Sequence, residues 1–203
     1  IYSRFSNPTV AMFEERMALL ENAQACRSTG TGMAAVNAAL SSSVKAGDRL
    51  VASKALFGSC DYICRELLPK FGIETTMVNG TDLAEWEEAL DRPTAVVFME
   101  TPSNPQLDII DLGSVSSLAH KVGARVIVDN VLATPILQRP LDFGADVVVY
   151  SSTKHIDGQG RAMGGCILTN DVDWSEGDLK QFMRHTGPSL SPFNAWVHLK
   201  SLE

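Results

Sequence analysis

Short apolar runs alternate with segments whose apolar residues recur at helical spacing. Met12, Phe13, Met17, Leu19 and Leu20 mark an amphipathic helix over residues 9–21, entered through Asn7-Pro8. Residues 23–27 read as a short strand, and the Ala-rich segment 32–43 as a buried helix. After the turn Ala46-Gly47-Asp48 come a strand over 49–52, a helix over 59–71 and a strand over 73–78. Asp82, with Glu85 three residues on, opens a helix through Leu90 in the manner of a capping box. The runs 94–99, 125–128, 145–150 and 164–168 are strands, most of them apolar enough to be buried on both faces. Residues 111–121 form a helix closed by Gly123. No repeat or linker interrupts the pattern. Such alternation predicts an α/β fold, a mainly parallel sheet with helices on both faces.

Composition narrows the function classes. Apolar residues at 45% and charged residues at 20% suit a globular chain and exclude a disordered one. Lys and Arg total 17 against 24 Asp and Glu, a net charge of −7. With no basic run to neutralise phosphates, neither a nucleic acid nor an anionic membrane is an expected partner. No apolar run reaches the roughly 20 residues of a membrane span. Cys26, Cys60, Cys64 and Cys166 lack metal-site pairing, and no signal peptide is visible, so reduced thiols in a cytoplasmic setting are expected. The chain opens on Ile1, and the apolar pattern Phe193, Trp196, Val197, Leu199, Leu202 reads as an unfinished helix. Residues 1–203 therefore read as one domain of a longer protein.

Ligands of parallel sheets sit at the carboxyl ends of the strands. Lys154 follows an apolar strand among small hydroxyl residues, where partial desolvation would favour the neutral, nucleophilic amine. A lysine snorkelling to solvent is the plainer alternative. Asp129 ends another apolar strand. An acid and a lysine on neighbouring strand ends suit pyridoxal 5'-phosphate: the lysine forms the Schiff base, and the carboxylate keeps the pyridine nitrogen protonated. Gly30-Thr31-Gly32-Met33 precedes a helix and offers backbone N–H groups to a phosphate, with Ser151 and Thr153 as hydroxyl donors. The glycines alone would equally serve a strand-to-helix turn. Phe57 is placed to stack on a cofactor ring or to join the core. Asn104, between Pro102 and Pro105 in a rigid loop, either donates to the cofactor or shapes the turn.

Together the motifs Tyr2-Ser3-Arg4-Phe5-Ser6-Asn7-Pro8-Thr9, Gly32-Met33-Ala34-Ala35, Glu100-Thr101-Pro102-Ser103-Asn104-Pro105, Val128-Asp129-Asn130 and Ser151-Ser152-Thr153-Lys154 resemble the Cys/Met metabolism (transsulfuration) family of pyridoxal-phosphate enzymes. The resemblance implies the aspartate-aminotransferase-like large domain, fold type I. It implies Lys154 as the Schiff-base lysine, Asp129 on the pyridine nitrogen, and Gly32, Met33, Ser151 and Thr153 on the phosphate. Phe57 would stack on the ring and Asn104 would meet its phenolic oxygen. Tyr2 and Arg4 would reach the phosphate of a neighbouring subunit, which implies a homodimer at least and, by the family's habit, a homotetramer. Thr31 stands where the family usually has Ser, and His155 where it commonly has Tyr.

Phe57, where family lyases and synthases usually carry Tyr, and the run Asp157-Gly158-Gln159-Gly160-Arg161 resemble the sulfhydrylase branch. That branch implies γ-replacement in methionine biosynthesis: O-succinylhomoserine and sulfide give homocysteine and succinate. Phe57 carries no acid or base, so Lys154 would move most of the protons. Within the family, cystathionine γ-synthase, an O-acetylhomoserine sulfhydrylase and methionine γ-lyase are the alternatives. The arginine with which the family grips the substrate carboxylate has no match in 1–203, so a cofactor-binding piece without turnover is another. A nucleotide-binding α/β domain with structural Lys154 and Asp129 is the third.

Overall fold

Side chains alternate across a strand, and here both sides of each central strand are apolar. In a computed structural model describing residues 2–203, those strands form the middle of a single sheet; Ile1, where the expected domain begins, lies outside the described residues. The strands are β1 (Ala25–Thr29), β2 (Arg49–Ser53), β3 (Glu74–Val78), β4 (Val96–Glu100), β5 (Arg125–Asp129), β6 (Val147–Tyr150) and β7 (Gly165–Thr169). Their order is β1-β7-β6-β5-β4-β2-β3. Strands β3, β2, β4, β5 and β6 pair in parallel. Only β7 is reversed, between β6 and β1.

Val97, Met99, Val126, Val128 and Val148 face one layer with Phe13, Trp86 and Val115. Val96, Phe98, Ile127, Val147 and Val149 face the other with Ala35, Ala39 and Leu40. The first layer holds α1 (Pro8–Glu21), α4 (Leu83–Ala89), α5 (Leu112–Lys121) and α9 (Pro192–Ser201); the second holds α2 (Gly32–Ser41) and α3 (Gly58–Tyr62). Shorter helices α6 (Thr134–Leu137), α7 (Val172–Trp174) and α8 (Lys180–Thr186) complete the set. The expected mainly parallel α/β architecture is what forms. Among the described residues no helix is long and apolar enough to cross a membrane.

Three local expectations differ. The helix expected over 59–71 divides into α3, a π-helical turn Ile63–Leu67 and a 3-10 turn Leu68–Phe71. Pro69 brings no N–H to continue an α-helix, and Gly72, at φ 77°, ends it. Asp82 caps α4 by accepting the Ala84 N–H at 2.9 Å, but Glu85 does not complete the box. Its carboxylate instead accepts Asn79 N–H at 2.7 Å and Lys54 Nζ at 3.1 Å, pinning the preceding loop. The helices between Val172 and Thr186 were not expected. That stretch is too acidic to show an apolar period, and its buried apolar anchors are Trp174 and Leu179.

Candidate active site

The carboxyl ends of β4, β5 and β6, the loop after β2 and the start of α2 open into one cavity of about 590 Å³. That volume suits a small-molecule site. Gly32, Met33, Phe57, Asn104, Asp129, Ser151, Thr153 and Lys154 all line it. Tyr2 and Arg4 do not. They lie on an exposed arm, where the Arg4 guanidinium sits 4.6 Å from the Phe5 ring centre and donates to the Arg184 carbonyl.

The cradle is built by close approach. Thr31 caps α2 by accepting the Ala34 N–H at 3.0 Å. A Cβ on Gly32 would stand 2.4 Å from the Ser151 Cβ, so only glycine lets the first turn of α2 meet the end of β6. The result is a helix N-terminus with bare backbone beside the Ser151 hydroxyl, which makes no hydrogen bond among the described residues. The Thr153 hydroxyl differs from expectation: it donates to Gly164 O at 3.2 Å and accepts Gly164 N–H at 3.1 Å. It braces the turn instead of presenting a free proton.

Asp129 is 6% exposed. One of its oxygens accepts Val131 N–H at 3.0 Å; the other takes no hydrogen bond among the described residues. Burial pushes its carboxyl up to about 6, against the pull of Val131. Glu100 stands opposite it in register on β4. The Glu100 carboxylate accepts Phe57 N–H at 2.6 Å and is pushed up to about 8, by burial first and then by the Asp129 charge. Phe57 is 43% exposed, which sets aside its reading as a core aromatic. Lys154 corrects another expectation. It is exposed, because the turn after β6 lifts it off the buried strand to the cavity rim. Geometry, not desolvation, commends it as the nucleophile.

Sequence reasoning placed Glu100 in a motif without giving it a role, and gave none to Tyr150 or Cys60; all three stand in the cavity wall. Glu100 was within reach of the strand-end rule, being the charged last residue of an apolar run. Tyr150 ends its run in the same way. Cys60 carries no such signal; burial raises its thiol.

The whole chain, residues 1–203, matches the model of one family, described as Cys/Met metabolism PLP-dependent enzyme. The chain belongs to that family. Members to which it is similar include an O-succinylhomoserine sulfhydrylase of Mycobacterium tuberculosis, 55% identical over all of this chain and 50% of the relative. An L-methionine gamma-lyase of Fusobacterium nucleatum is 39% identical over all of this chain and 52% of its own length. The solved cystathionine gamma synthase of Xanthomonas oryzae, in complex with aminoacrylate and cysteine, superposes with a TM-score of 0.95 at 36% identity, covering 99% of this chain and 52% of that one. The chain thus spans about half the length of the relatives it matches.

The residues fit the family's cofactor. A phosphorylated group finds a helix N-terminus and a free hydroxyl. A cationic ring nitrogen would find the unused oxygen of buried Asp129, and an aldehyde carbon would find the amine of Lys154 on the cavity rim.

Proposed function

We propose that these residues are the cofactor-binding large domain of an enzyme that converts O-succinylhomoserine and sulfide to homocysteine and succinate. The carrying observation for the cofactor is the convergence of Lys154, Asp129 and the bare first turn of α2 on one cavity. For the reaction, it is the Phe57 ring in the cavity wall, where it supplies no phenol.

The first-turn N–H groups of Gly32 and Met33 bind the phosphate with the Ser151 hydroxyl, and Thr153 completes the wall. Asp129 holds a proton on the ring nitrogen. Phe57 would stack on the ring and keep water off it, and Asn104 would donate to the phenolic oxygen. When bound, the cofactor supplies an electron sink for charge left at the substrate α-carbon. Lys154 would hold the cofactor through its amine and, once free, would take the α-proton of the substrate. With no phenol at residue 57, the same amine serves the later proton transfers that let succinate leave and sulfide enter. Tyr2 and Arg4 reach the phosphate in a neighbouring subunit, so the working unit is a homodimer at least. The four free, buried cysteines suit a reducing cytoplasm.

Similarity to an L-methionine gamma-lyase keeps elimination from methionine as a second reading. Assaying the holoenzyme with O-succinylhomoserine, O-acetylhomoserine and methionine, each with sulfide or cysteine, separates them. Homocysteine from the succinyl ester and sulfide at the highest kcat/KM is expected. A preference for methionine alone would overturn the sulfhydrylase reading.

A further inference from the structure

One wall of the cavity rests on a buried polar chain that none of these roles uses. Tyr150, the last residue of β6, lines the cavity and is 2% exposed. Its hydroxyl donates to the Glu21 carboxylate at the end of α1 and accepts Asn130 Nδ2 at 2.6 Å. The Asn130 amide also donates to Gln138 O at 2.7 Å. Gln138 Nε2 returns a bond to Asn130 Oδ1 and gives another to Thr101 O, both at 2.8 Å. Glu21, Asn130 and Thr101 are fully buried. Three members stand at three strand ends: Thr101 follows β4, Asn130 follows Asp129 on β5, and Tyr150 ends β6; Glu21 ends α1 and Gln138 follows α6.

A Phe and a Leu would fill the same space without desolvating a carboxylate. Here burial pushes the Glu21 carboxyl up to about 7, the Tyr150 hydroxyl pulls it back, and Asp142 and Arg139 act on it with opposite signs. Cys166 is the other titratable group facing Tyr150. A buried, polar, multiply linked chain fixes one arrangement where apolar packing tolerates several.

We propose that Tyr150 is a positioning residue which, through Glu21 and Asn130, locks the ends of β5 and β6 and so sets where the Asp129 carboxylate stands relative to Lys154. The proposal rests on the cofactor reading above. In the holoenzyme, Tyr150→Phe removes only the hydroxyl. It is expected to weaken pyridoxal phosphate binding about tenfold, the loss usual for an outer partner of a site residue, and to move the pH midpoint of the visible absorbance band. Glu21→Gln keeps an acceptor for the hydroxyl and is expected to bind as wild type does, whereas Glu21→Ala behaves like Tyr150→Phe. A Tyr150→Phe enzyme that melts earlier yet keeps affinity and midpoint overturns the proposal, as does Glu21→Gln failing as badly as Glu21→Ala. Should Tyr150→Phe not fold, the two Glu21 variants decide alone. A wild-type enzyme without any visible band would overturn the cofactor reading itself.

Discussion

The turn that carries Lys154 and the arm that carries Tyr2 and Arg4 are held in opposite ways. The turn is bolted from several sides. Ser152 Oγ lies 3.2 Å from His198 Nε2 on α9, Thr153 pairs with Gly164, and Asp157 accepts Arg161 Nε at 3.3 Å. Ser152, Asp157 and His198 are buried, so breaking any of these bonds strands a polar group. The arm's ties lie at the surface: Ser189 Oγ donates to Arg4 O at 3.3 Å, and the Arg184 guanidinium lies 5.0 Å from the Phe5 ring centre. Tyr2 is 60% exposed, and Arg4 rests on Phe5, Tyr2 and one backbone carbonyl. On the proposed reading, a group that must act at one atom is built into the sheet, and one that would serve a neighbouring subunit is left on the surface.

The largest expected effect tests the bolted side. Lys154→Ala removes the amine from a turn whose other bonds stay intact. Turnover is expected to fall by at least about 10²–10⁴-fold, with the visible band lost and the melting temperature of the apoenzyme nearly unchanged, because the side chain is exposed. Retention of the band in absorbance spectra would remove Lys154 from its role.

Asp129→Asn separates function from stability on the same side. Turnover should drop about 10²–10³-fold, the cost of losing one preorganised electrostatic partner. The apoenzyme should change in the other direction. Burial raises the Asp129 carboxyl from its ordinary 3.8 to about 6. Between those values the unfolded chain has released its proton and the folded chain keeps it, so stability falls as pH rises through that window. The loss is at most about 3 kcal/mol. Asn cannot ionise, so apo Asp129→Asn should show a flatter stability-pH curve and a higher denaturation midpoint near neutrality. An unchanged curve would mean that the carboxylate is not desolvated.

Gly165→Ala sharpens the contrast at intermediate size. A Cβ there would stand 2.4 Å from Thr31 O and 2.6 Å from Thr29 Oγ1, both on the segment that enters α2. Overpacking of this kind costs about 1–3 kcal/mol. Gly58→Ala is the control: nothing lies within 4 Å of its Cβ, and a slight gain of up to about 1 kcal/mol is expected. Chemical denaturation of the two variants checks the pair.

These contrasts explain what was legible in the sequence. Apolar runs specify β4, β5 and β6 because burial on both faces leaves no polar position to confuse the period. Lys154, Asp129 and the glycines were legible because strand ends are where a parallel sheet places ligands. Register was not: that Glu100 pairs with Asp129 depends on which strands become neighbours. The network through Glu21, far from β6 in sequence, was hidden for the same reason. The acidic stretch before α8 hid its helices because it is anchored by tertiary contacts of Trp174 and Leu179 and not by a periodic face. Lys154 exposure was misjudged because a strand's burial does not extend into the turn beyond it.

The smallest effect on folding belongs to the arm, and it carries the sharpest test of the comparison. Arg4 is exposed, and its contact with Phe5 is worth at most about 1 kcal/mol. Arg4→Ala should therefore leave the melting temperature of the chain almost where it was. If the arm serves a neighbouring subunit, cofactor binding in the assembled enzyme should still weaken, because a fork of donors to a phosphate is lost. Mixed assembly distinguishes the two geometries. An Arg4→Ala protomer keeps its own Lys154 but needs an arm from outside, and a Lys154→Ala protomer supplies a good arm but has a dead site. Paired, they regain one intact site when the arm acts between subunits. When it acts within its own chain, no pairing restores a site, and the mixture stays as inactive as its parents. Activity measured after co-refolding the two variants decides between an arm that is merely loose and one that is loose because its target lies on another chain.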